Sequence, residues 1–178
     1  MSNVPKADGF PPVDVFMAMS AVLTGVAADA LAGPLDPLGL AALLYTTAQE
    51  KGANDFSALL TKYQKIAAAT KDPVAIGTEL LDPPDAATTY VARSVILAWY
   101  LGHWYAPQSL QAYAAGEINS FQLDFFVISD DAYTQGWAWT IAQTKPMGYS
   151  NYSYGYWSSN PEQTLQELIS NQPAGSAQ

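Results

Sequence analysis

Residues Ala92–Tyr105 read ARSVILAWYLGHWY, and the run Val95–Leu101 inside them is apolar on every side of a helix. A membrane span needs about 20 such residues, so this run predicts a helix buried at the centre of a bundle. Asp85 or Thr88 starts it, it runs through about His103, and Pro107 closes it.

The flanking sequence supplies helices to surround it. Asp14 caps a helix over about 15–31, stopped by Gly33-Pro34. Its alanines allow close approach to a neighbour. Asp36-Pro37 supplies a cap and a first-turn proline for a second helix that ends at Lys51-Gly52. A third starts at Asn54 or Asp55, with Phe56, Leu59, Leu60, Tyr63 and Ile66 at helical spacing and Lys62 and Lys65 facing solvent. Asp72-Pro73 opens a short fourth, ended by Asp82-Pro83-Pro84.

Beyond Pro107 the period changes. Phe121, Leu123, Phe125 and Val127 alternate with Gln122, Asp124, Phe126 and Ile128, which predicts a strand in a hairpin that turns at Gly116–Asn119. Asp131 then caps a helix over about 132–144, and Pro161 opens a last one to about Ile169. The expected fold is mainly α: an irregular bundle of about five to seven helices. It carries a short β-hairpin near 108–131 and an extended aromatic-rich C-terminal segment. Residues 1–13, with Pro5, Pro11 and Pro12, read as an extended arm, 14–170 as one helical domain, and 171–178 as a disordered tail.

Composition narrows the function. Of 178 residues only 13% are charged, and the net charge is −9, which excludes a basic nucleic-acid-binding face. The absence of cysteine removes disulfides, thiol catalysis and cysteine-ligated metals. The longest uncharged stretch near the start, Val15–Ala28, has 14 residues, so no direct membrane span is expected. Met1–Phe10 carries neither an apolar run nor a twin-arginine pair.

Catalytic constellations are hard to assemble. His103 is the single histidine and lies at a helix end, which suits a cap or an interface; a site combining it with Asp130 or Asp131 is the enzymatic alternative. Asp130-Asp131 reads more simply as helix capping, and Glu79, Asp82 and Asp85 as a capped turn around two prolines. The glycines form no G-x-G pair, so the chain has neither a dinucleotide fingerprint nor a P-loop. Catalytic, cofactor-binding and metal residues are all expected to be absent.

The aromatic content is the dense feature. Seventeen of the 22 aromatic residues lie at or after Tyr90, and Tyr133–Trp157 holds eight in 25 residues. Tyr152, Tyr154 and Tyr156 alternate and point to one side of an extended chain. Such a surface serves as a protein interface or stacks on sugars as a stand-alone carbohydrate-binding module; the plain alternative is that it folds back on its own bundle. The expected interface residues are Trp99, Tyr100, Trp104 and Tyr105 in the middle of the chain, and Tyr149, Tyr152, Tyr154, Tyr156 and Trp157 near its end. Arg93 is expected to cap carbonyls or pair with a carboxylate beside the buried helix.

Three segments, FMAMSAVLTG (16–25), ARSVILAWYLGHWY (92–105) and YTQGWAWTIAQTKPMGYSNYSYGYW (133–157), resemble the small subunit of the FAD-dependent membrane-bound sugar and polyol dehydrogenases. That family includes the small subunits of sorbitol, fructose and glucose dehydrogenases, and the resemblance covers roughly residues 10–160. It implies a mainly helical, noncatalytic protein without a cofactor of its own. Its partner would be a large flavoprotein of the glucose-methanol-choline type, which carries FAD, oxidises the sugar or polyol, and often passes electrons to a multihaem cytochrome c subunit. The small subunit is needed for the large one to fold or be exported. The resemblance places the complex on the periplasmic face of the cytoplasmic membrane; without a signal sequence before Val13 the expectation becomes cytoplasmic. With no cysteine, the association must be noncovalent.

Overall fold

The computed structural model describes residues 12–33 and 35–146. The elements run α1 (Pro12–Thr24), α2 (Ala28–Leu31), α3 (Leu40–Ala69), α4 (Pro73–Leu80), α5 (Ala87–Leu101), β1 (His103–Tyr105), α6 (Pro107–Ala114), a 3₁₀ turn (Ser120–Gln122), β2 (Phe125–Val127), α7 (Asp130–Thr134) and α8 (Trp137–Ile141). The fold is mainly helical with one small antiparallel sheet, as the sequence leads one to expect.

Helix α5 sits at the centre, touching α1, α3, α6, α7, α8 and β1. Val91, Ala92, Val95, Ala98 and Trp99 are buried on it. Phe16 of α1 is the hinge of the aromatic core: its ring lies 5.8 Å from Tyr45, 5.9 Å from Phe56 and 6.2 Å from Trp99. Two of the rings around Phe16 meet it edge-on, the geometry that the aromatic quadrupole favours. The α3–α5 contact is the broadest between two helices, and it is tight at Gly52, where a Cβ would stand 2.9 Å from Phe56 Cβ and 3.2 Å from Val91 Cγ1. The hydroxyl of buried Ser94 lies 2.7 Å from the Tyr105 carbonyl and 3.0 Å from the Tyr90 carbonyl, tying α5 to the sheet.

Several boundaries differ from the sequence reading. The first helix begins at Pro12, a first-turn proline, so the expected arm does not reach residue 13; Asp14 lies inside the first turn. That helix stops at Thr24 rather than near residue 31, because Gly25 turns the chain at φ 73° and the Thr24 hydroxyl both donates to Ser20 O (2.7 Å) and accepts from Val26 N–H (3.2 Å). Asp36 accepts from Leu40 N–H at 2.7 Å and Ala41 N–H at 3.0 Å, but Gly39 takes the cap position and Pro37 lies before the helix, which starts at Leu40. The expected break at Gly52 falls one residue later: Ala53 has φ 45° and ψ −123° between two helical stretches of α3. Asp72 caps α4 by accepting from Val74 N–H. Lys62 does not simply face solvent; its ammonium donates to the Leu80 and Asp82 carbonyls and closes the C-terminus of α4.

Helix α5 has neither Asp85 nor Thr88 as a side-chain cap; Ala86 takes the cap position, and the Pro83 carbonyl accepts from Ala86 N–H and from the Thr89 hydroxyl. The helix ends two residues early, at Leu101, where Gly102 adopts φ 67°. Pro107 closes nothing: it is the first-turn residue of α6, which occupies much of the interval read as β. Gly116, φ 75°, ends α6 and is not a hairpin turn. The short antiparallel pair is present, but β2 pairs with β1, in the register His103 with Val127, Trp104 with Phe126 and Tyr105 with Phe125. Ser129, not Asp131, caps the following helix, accepting from Ala132 N–H at 3.0 Å, and Gly136 divides the expected 132–144 helix into α7 and α8. Arg93 lies over the Tyr90 ring, 4.8 Å from its centroid, and pairs with no carboxylate among the described residues. The expected helix 161–169, the disordered tail and most of the arm lie outside the described residues.

Two glycines separate conformation from packing. A Cβ at Gly102 would stand 2.4 Å from Ala132 C and O and from Tyr133 Cα, whereas one at Gly116 would meet nothing. Both have positive φ. Gly116→Ala should therefore cost about 1 kcal/mol from backbone strain alone. Gly102→Ala should cost about 3 kcal/mol or more, because overpacking adds to the strain. Urea denaturation of the two variants checks this, and equal losses would refute the close-approach account. Conversely, Ala53→Gly should stabilise by about 1 kcal/mol, since glycine alone reaches φ 45°, ψ −123° without a Cβ penalty. An unchanged or lowered denaturation midpoint would contradict that reading.

Candidate functional site

Gly102 reverses the chain at the end of α5 and lays β1 beside β2. Alternation then divides the rings. Trp104 points inward and is 2% exposed, while His103 and Tyr105 lie on the opposite face with Phe125 and Val127. On that outer face Tyr105 and Phe125 stack at 4.9 Å and 22°. His103 lies 5.5 Å from Phe125 and 5.7 Å from Tyr133, and Tyr133 lies 5.4 Å from Trp139. The result is a continuous row of five rings on the surface of the bundle. Tyr133 O accepts from the Trp139 indole N–H at 2.7 Å, which fixes the end of the row.

The strand in this row is bare. Phe125, Phe126 and Val127 are 49%, 41% and 48% exposed, and Phe121 just before them is 98% exposed. Tyr113 on α6 is also exposed. The Lys51 ammonium lies 5.4 Å from the centroid of Phe126 on the core-side face. Four large apolar side chains, Phe121, Phe125, Phe126 and Val127, thus stand exposed within seven residues of chain.

The expected interface residues divide sharply. Trp99 and Trp104 are core residues, 3% and 2% exposed, and present no surface. Tyr100 and Trp104 fall on different elements, because the helix ends between them. Tyr100 is half-buried and its hydroxyl donates to Thr24 O at 2.9 Å, joining α5 to the end of α1. Tyr105 alone of the four belongs to the ring row. Tyr149, Tyr152, Tyr154, Tyr156 and Trp157 lie outside the described residues. Phe121, Phe125, Phe126 and Val127 were read as part of a strand and not as interface residues. Their adjacent phenylalanines gave the signal: apolar side chains on both faces of a strand that only a two-stranded sheet supports.

His103 directs Nδ1 to the Leu101 carbonyl at 2.6 Å and packs against Tyr105, Phe125 and Tyr133, so it serves as a ring in the row. Asp130 and Asp131 form the first turn of α7, where carboxylates suit the helix dipole. Among the described residues no group of three or more His, Asp or Glu could hold a metal ion, and no helix is long and apolar enough to cross a membrane. A groove of about 540 Å³ opens between α1 and α4, lined by Ala21, Val22, Val26, Pro73, Val74 and Thr78 among others, with no ionisable side chain. Burial raises the pKa of Tyr63 and Tyr100 above the ordinary tyrosine value.

Comparison with protein-family models, with curated proteins and with solved structures finds no match.

The two tyrosines give a pH signature. Their folded pKa exceeds the unfolded one, so the fold binds their protons more tightly. Their contribution is fully present below the unfolded pKa, near pH 10, and is lost as pH rises through the folded value. Stability should thus fall above about pH 10, and less steeply in Tyr100→Phe. A thermal-melting series from pH 8 to 11.5 with identical slopes for both proteins would refute the assignment to Tyr100.

Proposed function

We propose that the chain is a noncatalytic small subunit that binds, folds and stabilises the FAD-containing catalytic subunit of a sugar or polyol dehydrogenase. The observation that supports this best is the bare aromatic strand: Phe121, Phe125, Phe126 and Val127 stand 41–98% exposed in a chain with 13% charged residues. The exposed part of these phenylalanines, and nearly all of Phe121, would add stability only once a partner covers it. The segments resembling the dehydrogenase small subunit supply the identity of that partner, a large flavoprotein of the glucose-methanol-choline type. A multihaem cytochrome c subunit would complete the electron path. The chain itself would supply no reacting group; its work is to cover and brace a partner. In this reading the complex belongs to the periplasmic face of the cytoplasmic membrane.

The test is co-expression of a tagged copy with the large reading frame beside its gene, followed by the visible spectrum of the eluate. A noncovalent complex with flavin absorbance, and a large protein that is insoluble when made alone, are the expected results. A large protein that folds and oxidises sugar equally well without this chain would overturn the reading. Saturable quenching of tryptophan fluorescence by sugars in the isolated chain would instead favour a carbohydrate-binding module.

A further inference from the structure

The backbone of β2 specifies how the bare strand would be covered. Ala106 N–H donates to Asp124 O and Ile128 N–H donates to Gly102 O, both at 2.9–3.0 Å. In an antiparallel ladder, hydrogen-bonded and non-bonded pairs alternate. Phe126 therefore turns its peptide groups toward β1, and Phe125 and Val127 turn theirs away, to the open edge of the sheet. Among the described residues the sheet has two strands, in the order β1–β2. At this edge the Phe125 and Val127 side chains are about half exposed, and among the described residues nothing pairs with the peptide groups.

Charge selects among occupants. Asp124 immediately precedes the strand, Asp130 and Asp131 follow it by three and four residues, and all three are exposed. A second copy would bring the same carboxylates and another net charge of −9 to the edge, so self-pairing is opposed. An extended segment with Lys or Arg flanking alternate apolar residues is complementary. Its apolar side chains would lie beside Phe125 and Val127, and its cations would meet Asp124 at one end and Asp130 and Asp131 at the other.

The geometry points to Phe125–Val127 as a β-augmentation site, where a basic-flanked, extended segment of the large flavoprotein subunit adds a third strand. This rests on the subunit reading above, and the two fail separately. Val127→Pro removes an N–H that points away from β1, so the edge position tolerates it within the fold while blocking an added strand. In the co-expression experiment the wild-type chain should retain the flavoprotein, and Val127→Pro should retain about tenfold less at an unchanged melting temperature. Equal retention by both chains overturns the augmentation site and leaves the subunit reading standing. No retention by the wild-type chain overturns the subunit reading itself. Should Val127→Pro melt early, hydrogen exchange on the wild-type chain decides. The Phe125 and Val127 amides should exchange at least about tenfold more slowly in the complex than in the free chain, and unchanged exchange there overturns the site.

Discussion

The structure depends on how closely backbone can approach α5. Three glycines make that approach. Gly52 brings α3 against Val91 near its start, Gly136 sits where a Cβ would be 2.7 Å from Tyr100 O near its end, and Gly102 lets the chain leave it against Ala132 and Tyr133. A helix wrapped this tightly cannot shift without disturbing several neighbours at once, because packed interiors transmit displacement. The position of β1 follows directly, since Gly102 fixes the turn into it and Ser94 binds the Tyr105 carbonyl. The ring row and the open edge of β2 are thus placed by the core, although they lie outside it.

This arrangement explains how a buried polar atom is tolerated near the centre. Among the described residues, buried Ser20 Oγ and Trp99 Nε1 meet no hydrogen-bond partner. An unmade hydrogen bond on a buried group costs about 1–3 kcal/mol. Trp99 nevertheless stacks on Phe16 at 25°, and its ring fills the space between α1 and α5. The area buried by an indole outweighs one unmade bond. Trp137 and Trp139, nearer the surface, each place their indole N–H on a backbone carbonyl, those of Leu31 and Tyr133.

The parts of the fold legible in the sequence are those decided within a few residues. The apolar run 95–101 made α5 central, Asp72-Pro73 opened α4, and Lys51-Gly52 marked a break. Local signals failed where one residue type serves two purposes. Pro107 could close one helix or open the next, and it opens α6. Gly25 and Gly136 stood in runs that read as continuous helix, yet each divides one. The pairing of β1 with β2 spans an intervening helix, so no short-range turn signal encodes it. Of the residues named for an interface, Tyr105 joins the outer ring row, while Trp99 and Trp104 are in the core. Aromatic residues suit cores and interfaces alike, and composition does not distinguish them.

The acidic surplus and the bare strand belong to one design. An exposed apolar edge invites association with any other edge, including its own copy. Natural sheets guard against this with charges beside the edge, and Asp124, Asp130 and Asp131 stand there. In the proposed pairing the carboxylates would repel the identical acidic chain and favour a basic segment. The same charges that would keep copies apart would therefore select the partner. A chain with few charges can afford this selectivity because those it has are of one dominant sign, 16 acidic against 7 basic.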